Sequence, residues 1–233
     1  MKIAIMGAMP EEVAPILEKL GIYKTTEYAG NKYYEASYKS IDLVIAYSKI
    51  GKVFSTLTAS TMIEHFGAER LLFSGVAGAI SPTLKVGDLI VATKLSQHDL
   101  DITAFGHPFG FVPEGAVFVE ADKQMIEMSK EVAREMGKNL QEGIIATGDQ
   151  FVANEERKNW IGETFNADAL EMEGASVAVV CNAMNIPFFI LRAISDAADM
   201  DASFSFDEFL ETSAKESAEF VMKMVDKIVY KNL

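Results

Sequence analysis

The chain has 233 residues, of which 49% are hydrophobic, and this length and composition suit one large α/β domain. Its formal net charge of −13 argues against binding to nucleic acid or an anionic membrane, because both require clustered Lys and Arg. The single cysteine, Cys181, excludes an internal disulfide, and His65, His98 and His107 lack metal-ligand spacing. We therefore expect no metal site and no cofactor.

The amino-terminal sequence and the lengths of the apolar segments indicate where the protein is located. Its first twelve residues, MKIAIMGAMPEE, contain a short apolar run followed by acids, unlike a cleavable signal peptide. No segment approaches the roughly 20 apolar residues that span a bilayer. These observations predict a cytoplasmic protein.

Short apolar runs alternate with helical patterns along the chain. The runs that predict buried strands are Lys2–Met6, Leu43–Tyr47, Leu71–Phe73, Leu89–Thr93, Gly143–Ala146 and Pro187–Arg192. The patterns that predict helices include Glu11–Leu20, Thr56–Phe66, Asp122–Met136 and Phe206–Tyr230. This alternation favours an α/β fold with a mostly parallel sheet covered on both faces, and no repeat or linker divides residues 1–233 into more than one domain.

One segment, His98–Phe118, has no periodicity and is rich in Phe, Pro and Gly. Its phenylalanines Phe105, Phe109 and Phe111 either pack inward or form an apolar patch. Because exposed apolar patches mark interfaces and ligand walls, we favour an interface or a pocket over ordinary core packing.

Three common nucleotide-binding and hydrolase motifs are absent from the sequence. It contains no GxG, no GxxxxGK[ST] and no GxSxG pattern. These absences argue against an NAD-dependent oxidoreductase, a P-loop NTPase and a serine hydrolase.

An ionisable side chain, Asp196, follows the apolar run Pro187–Arg192. In parallel α/β sheets, ligands bind beyond the carboxyl ends of the strands. A carboxyl group there is expected to have a raised pKa, because a low dielectric disfavours its charged form, and it can donate a proton to a leaving group. The alternative is a structural ion pair between Arg192 and Asp196.

The motif GAMPEE, Gly7–Glu12, follows the first predicted strand. Small residues there allow a ligand to approach the backbone closely. Alternatively, Glu12 only complements the dipole of a helix that begins near Pro10.

The motif SGVAG, Ser74–Gly78, follows the predicted strand Leu71–Phe73. It predicts a glycine-containing turn that either presents amides to a ligand oxygen or is only a tight turn.

The motif ALEMEGA, Ala169–Ala175, carries acids at alternate positions before a predicted helix. If the segment is extended, Glu171 and Glu173 share one face, and carboxylates there could bind the vicinal hydroxyls of a sugar. The alternative is that the acids only cap a helix.

Together, GAMPEE, SGVAGA, GDQF (Gly148–Phe151), EMEGAS and RAISDAAD resemble the bacterial 5′-methylthioadenosine/S-adenosylhomocysteine nucleosidases, of the purine nucleoside phosphorylase and hydrolase superfamily. The resemblance runs from Met1 to the final helix, and EME joined to R-x-x-SD is its most specific part. It implies a three-layer α/β/α fold with a central mixed, mostly parallel sheet. It also implies a homodimer without a metal or redox cofactor.

The resemblance implies roles for individual residues. Asp196 would be the general acid that protonates adenine N7, Glu12 would activate the attacking water, and Glu173 would bind the ribose hydroxyls. The other substrate-binding residues would be Ala8, Met9, Ile50, Val76, Ala77, Gly78, Phe151, Val152, Met172, Arg192, Ser195 and Phe206. Among these, Arg192 would help to hold the water and Phe151 would stack on the adenine.

The resemblance further implies that a partner subunit supplies Ile102, Phe105 and Pro113 to the pocket for the 5′-substituent. Val76 and Ala79 depart from relatives that often carry Ser and Gly there, and the sequence around His107 also differs from many relatives.

The implied activity is hydrolysis of the N-glycosidic bond of 5′-substituted adenine nucleosides. The candidate substrates are 5′-methylthioadenosine, S-adenosylhomocysteine, 5′-deoxyadenosine and the menaquinone precursor 6-amino-6-deoxyfutalosine, which some relatives cleave. A phosphorylase is the first alternative, but it needs concentrated positive charge, and no arginine precedes Arg70 while Glu12 would repel phosphate. A non-catalytic purine-binding protein is the second alternative, and it would not need the acid and base pair.

Overall fold

The computed structural model describes residues 1–198 and 202–231, with side chains described for 1–198 and 209–231. The helices are α1 (Pro10–Leu20), α2 (Lys52–Glu64), α3 (Lys123–Met136), α4 (Glu155–Phe165), α5 (Gly174–Ala183) and α6 (Ala202–Lys231). The strands are β1 (Lys2–Gly7), β2 (Lys24–Tyr28), β3 (Asn31–Tyr38), β4 (Ile41–Tyr47), β5 (Arg70–Ala79), β6 (Leu89–Gln97), β7 (Val119–Glu120), β8 (Leu140–Thr147), β9 (Ala169–Glu171) and β10 (Phe188–Asp196).

The strands form one mixed sheet in the order β10-β6-β8-β9-β5-β1-β4-β3-β2, with β7 paired to β6. At its centre, β1 is parallel to β4 and β5, and β5 is parallel to β10. Strand β10 also pairs with β6, in the antiparallel direction. Since β10 bonds to both β5 and β6, the strands β5, β10, β6, β8 and β9 close into a ring at one end of the sheet.

Two groups of helices cover the sheet. Helices α1 and α3 both contact α6, and this group packs against β5, β6 and β10, while α2 contacts α5 over β1, β4, β6 and β8. The central strands are buried on both faces, which explains their continuous apolar runs. The predicted α/β fold with helices on both faces of a central mixed sheet is confirmed.

The ends of α3 show how local sequence sets a helix. Asp122 precedes the helix, and its side chain accepts a hydrogen bond from the Met125 N–H at 2.8 Å. Gly137 ends the helix in the left-handed conformation, with φ of 63°. Both signals are local, so the predicted span Asp122–Met136 differs from the observed helix only by its capping residue.

The predicted turn at Ser74–Gly78 is wrong, because these residues continue β5 as far as Ala79. Their backbone groups pair with β10 on one side, and Gly78 also pairs with Leu170 of β9. Tertiary pairing satisfies the backbone there, so small residues extend the strand instead of ending it.

Two further elements differ from the predictions. The hairpin of β2 and β3 was not predicted, because the exposed strand Lys24–Tyr28 has no apolar pattern. Helix α2 begins at Lys52, four residues before the predicted start at Thr56, and its first N–H is capped by Asp149 from a distant part of the chain.

The irregular segment His98–Phe118 contains only a short 3₁₀ turn at Thr103–Phe105. Phe109 packs edge-on against Trp160, with ring centroids 5.0 Å apart, whereas Phe105 is 81% exposed. The segment therefore contributes both to a small core and to the surface. Among residues 1–198 and 202–231, none of the helices combines the length and the hydrophobicity that a bilayer-spanning helix requires.

Candidate active site

A pocket lies at the carboxyl ends of the parallel strands β1, β5 and β10. Its empty space, including the open mouth, is about 570 Å³. The residues that line it are Ala8, Met9, Glu12, Ile50, Val76, Ala77, Gly78, Gln150, Phe151, Val152, Leu170, Glu171, Met172, Glu173, Ser195 and Asp196. This position agrees with the expectation that ligands bind beyond the carboxyl ends of parallel strands.

Glu12 lies in the first turn of α1 and is only 2% exposed. Its Oε2 accepts hydrogen bonds from the Ala8 N–H at 2.5 Å and the Met9 N–H at 3.0 Å, and its Oε1 accepts from the Val76 N–H at 3.2 Å. A Cβ on Gly75 would lie 2.7 Å from Oε1, so glycine is needed for the carboxylate to approach β5. Glu12 is thus fixed between the ends of β1 and β5.

The environment of Glu12 changes its acidity. Burial raises its pKa, against the opposing effects of the Arg192 charge and the backbone hydrogen bonds from Met9, Ala8 and Val76. A carboxylate with a raised pKa is a stronger base than an exposed glutamate.

Asp196 is the last residue of β10, which extends beyond the predicted run Pro187–Arg192, and it pairs with Gly78 of β5. The side chain is buried at 4% exposure. Its Oδ2 accepts a hydrogen bond from Ser195 Oγ at 2.8 Å, and its Oδ1 accepts from the Ala198 N–H at 2.8 Å. These two donors orient the carboxyl group in the pocket wall.

Glu173 precedes α5 and lines the same pocket, with 6% of its surface exposed. Its Oε1 accepts a hydrogen bond from the Gly51 N–H at 2.8 Å. Burial, together with the nearby charge of Glu171, raises the pKa of Glu173 to about 8. Its carboxyl group is therefore protonated more readily than that of an exposed glutamate.

Arg192 forms a buried ion pair with Glu171, in which Nη2 and Oε2 are 2.6 Å apart. The alternative pairing of Arg192 with Asp196 is wrong. The guanidinium lies 4.1 Å from the ring centroid of Phe73 and donates to the Leu191 carbonyl at 3.0 Å. Glu171 also accepts hydrogen bonds from Thr147 Oγ1 and the Gly174 N–H. The pair therefore joins β9, β10 and the start of α5 beside the pocket, which Glu171 lines and Arg192 does not.

Most of the residues implied by the resemblance line this one pocket. Arg192 is not among the lining residues, and Ile102, Phe105 and Pro113 are also outside the pocket of their own chain. The side chain of Phe206 lies outside the described residues.

Sequence reasoning did not place Gln150 and Leu170 in the pocket lining, and it named Glu171 only as a candidate that could bind sugar hydroxyls together with Glu173. The available signal was adjacency, because Gln150 precedes Phe151, Leu170 precedes the EME motif and Glu171 begins it. Within the described residues, no cluster of three or more His, Cys, Asp or Glu side chains is arranged to hold a metal ion.

Comparison with known proteins identifies the family. Residues 2–226 match the sequence profile of the phosphorylase superfamily. The chain is 60% identical to the aminodeoxyfutalosine nucleosidase of Campylobacter jejuni, over 98% of this chain and 100% of that protein. It is 37% identical to the 5′-methylthioadenosine/S-adenosylhomocysteine nucleosidase of Oceanobacillus iheyensis, over 98% of this chain and 100% of that protein.

A solved structure gives the same result. The 5′-methylthioadenosine/S-adenosylhomocysteine nucleosidase of Helicobacter pylori, complexed with a substituted aminopyrrolopyrimidine, superposes with a TM-score of 0.96. The two sequences are 50% identical, and the match covers 97% of this chain and 98% of that chain. With the fold, the pocket and these comparisons in agreement, the chain belongs to the phosphorylase superfamily and, within it, to the enzymes named 5′-methylthioadenosine/S-adenosylhomocysteine and aminodeoxyfutalosine nucleosidases.

Proposed function

We propose that this protein hydrolyses the N-glycosidic bond of 5′-substituted adenine nucleosides and releases adenine and the 5′-substituted ribose. The observation that carries the proposal is the convergence of three buried carboxyl groups, from Glu12, Glu173 and Asp196, on one pocket. The names of the relatives, which refer to methylthioadenosine, adenosylhomocysteine and aminodeoxyfutalosine, support this substrate class.

Asp196 acts as the general acid. It transfers a proton to adenine N7 while the bond between ribose C1′ and purine N9 breaks and its electron pair moves into the purine. Protonation makes adenine a better leaving group, and the sugar passes through an oxocarbenium-like state. Ser195 and the Ala198 N–H support this role because they hold the carboxyl group in one orientation.

Glu12 acts as the general base. It removes a proton from a water molecule whose oxygen forms the new bond to C1′. One proton leaves Asp196 and one arrives at Glu12, so exchange with solvent after product release restores the starting state. Burial supports this role because it raises the pKa of Glu12 and therefore its basicity.

Glu173 binds the ribose hydroxyls. A carboxyl group accepts hydrogen bonds through both oxygens and donates one when it is protonated, and the raised pKa of Glu173 favours the protonated form. That combination matches a pair of neighbouring hydroxyl groups, each of which is both a donor and an acceptor.

Adenine release without phosphate is the direct test of this function. Purified protein is incubated with 5′-methylthioadenosine or 6-amino-6-deoxyfutalosine, with and without added phosphate, and adenine is quantified by chromatography. We expect equal release in both conditions, because Glu12 in the pocket disfavours a phosphate anion. Release that requires phosphate would identify a phosphorylase, and nucleoside binding without any release would identify a binding protein.

We infer that the protein is a homodimer in which the second subunit completes the pocket. An apolar surface next to the exposed pocket residue Ile50 supports this inference. On α2, Val53 is 74% exposed, and Phe54 and Leu57 are each 44% exposed. Apolar side chains at this density usually mark an interface, and a symmetric dimer would place the same patch on both subunits.

Phe105→Ser is expected to raise the KM for 5′-methylthioadenosine about tenfold and to weaken the dimer. The reason is that Phe105 is 81% exposed in its own chain and is proposed to cover the 5′-substituent in the neighbouring pocket. Steady-state kinetics and sedimentation velocity measure the two effects. Tyr230→Ser is the matched control, because Tyr230 is an aromatic residue with 86% exposure at the end of α6. Unchanged KM and unchanged mass in the Phe105 variant would contradict this arrangement.

A further inference from the structure

Two segments far apart in the sequence form neighbouring walls of the pocket. One contains Ile50, and the other contains Gln150, Phe151 and Val152. Asp149 joins them, because its Oδ1 accepts a hydrogen bond from the Lys52 N–H at 2.7 Å.

Asp149 provides the N-terminal cap of α2. The residue before this helix is Gly51, which has no side chain with which to cap it. Gly51 has φ of 100°, and a Cβ there would lie 2.9 Å from Asp149 Oδ1. Glycine at this position therefore allows the carboxylate of Asp149, 97 positions beyond Lys52, to supply the missing cap.

The same turn holds Glu173. The Gly51 N–H donates to Glu173 Oε1, and the next N–H, that of Lys52, donates to Asp149. The two carboxyl groups thus accept hydrogen bonds from consecutive backbone amides, which are joined through the Cα of Gly51. A shift of this segment away from Asp149 would also move the donor away from Glu173.

Asp149 is itself held by a charged network. Its N–H donates to Asp99 Oδ2 at 2.8 Å, and Asp99 Oδ1 lies 2.6 Å from Lys52 Nζ. Although burial raises the pKa of Asp99, the hydrogen bonds from Lys52 and the Asp149 N–H outweigh burial and lower it. Asp99 therefore remains ionised at neutral pH and closes a ring of contacts through Lys52, Asp149 and Asp99, which we call the Asp149 clasp.

We propose that Asp149 is a positioning residue for the reaction, which acts through Gly51 to hold the Glu173 carboxyl group where the ribose hydroxyls bind. This inference rests on the proposed function, because it assumes that Glu173 binds ribose. A purely structural role for Asp149 would instead affect only the stability of α2.

Kinetics of three variants separate the two roles. We expect Asp149→Ala to lower kcat/KM for 5′-methylthioadenosine at least about tenfold, mainly through a higher KM, because ribose binding contributes to both ground and transition states. Asp149→Asn keeps an oxygen that can accept from the Lys52 N–H, and is expected to restore kcat/KM to within about threefold of the wild type. Asp122→Ala is the matched control, since it removes an equivalent cap from α3, away from the pocket.

The pH profile provides a readout that loss of stability alone would not change. The Gly51 hydrogen bond lowers the pKa of Glu173 against the effect of burial. Loss of that bond in Asp149→Ala is therefore expected to raise the pKa of Glu173. The part of the kcat/KM pH profile that reflects ionisation of Glu173 should then move to higher pH. In Asp149→Asn and Asp122→Ala, this part of the pH profile should stay at its wild-type position.

The possible results are distinguishable. Wild-type kcat/KM and pH profile in a folded Asp149→Ala protein would overturn the clasp and leave the proposed function intact. If that variant does not fold, Asp99→Asn provides a second test, because it weakens the same ring of contacts and should raise KM severalfold. An unchanged KM in Asp99→Asn would also contradict the positioning role of Asp149. A wild-type protein that releases no adenine from either nucleoside would overturn the proposed function and the clasp together.

Discussion

Replacement of Asp196 by Asn is expected to lower kcat for adenine release by about 10²–10⁴-fold and to change KM only slightly. Asparagine has nearly the same shape, and its oxygen can still accept a hydrogen bond from Ser195 or the Ala198 N–H. Its amide cannot transfer a proton to the departing purine. The loss therefore falls on the transition state, and steady-state kinetics with 5′-methylthioadenosine measures it.

Asp168→Asn is the control for this substitution. Asp168 is half-buried near the same part of the sheet, and its Oδ2 accepts a hydrogen bond from the Ile144 N–H at 2.9 Å. It lies outside the pocket lining, so we expect near-native turnover. Near-native turnover in Asp196→Asn would remove Asp196 from the mechanism.

Replacement of Glu12 by Gln is expected to reduce kcat by a similar factor, about 10²–10⁴-fold, while adenine binding remains measurable by calorimetry. The carboxamide is not a base at neutral pH. The carboxylate of Glu12 accepts hydrogen bonds from the N–H groups of Ala8, Met9 and Val76. In the Gln variant, an NH₂ group replaces one of the accepting oxygens and cannot accept such a bond. Glu11→Gln is the matched control, because Glu11 is the exposed neighbour in the same helical turn.

The pH dependence of the wild type gives a second measure of Glu12. A general base must be ionised, so kcat/KM is expected to fall as the pH decreases through the pKa of Glu12. Because burial raises this pKa, the acid limb should lie above pH 4.5, the ordinary value for glutamate. The control variant Glu11→Gln should keep the acid limb of the profile at the wild-type pH. If Glu12→Gln instead abolishes adenine binding, Glu12 has a structural role only.

The clasp and the catalytic groups affect different kinetic parameters. Asp196 and Glu12 take part in proton transfer, so their loss lowers kcat. Asp149 does not line the pocket and reaches Glu173 only through Gly51, so its loss is expected mainly in KM. Comparison of kcat and KM across the three positions therefore tests chemistry and positioning separately.

The amino-acid sequence alone determined the alternation of strands and helices and the order of the motifs. Apolar runs such as Pro187–Arg192 and caps such as Asp122 are local signals, because burial of a strand and the start of a helix depend on adjacent residues. Motif resemblance placed Glu12, Glu173 and Asp196 near one site, and the structure brings all three to one pocket. Their catalytic roles stay predictions.

Only the tertiary structure decided the partners of the charged and backbone groups. Arg192 pairs with Glu171 rather than with Asp196, and Ser74–Ala79 continues β5 because β9 and β10 satisfy its backbone. Helix α2 begins at Lys52, before the predicted start at Thr56, because the distant residue Asp149 caps it. Each of these outcomes depends on contacts between residues distant in the chain, and such contacts leave no periodic or compositional signal in the segments that form them.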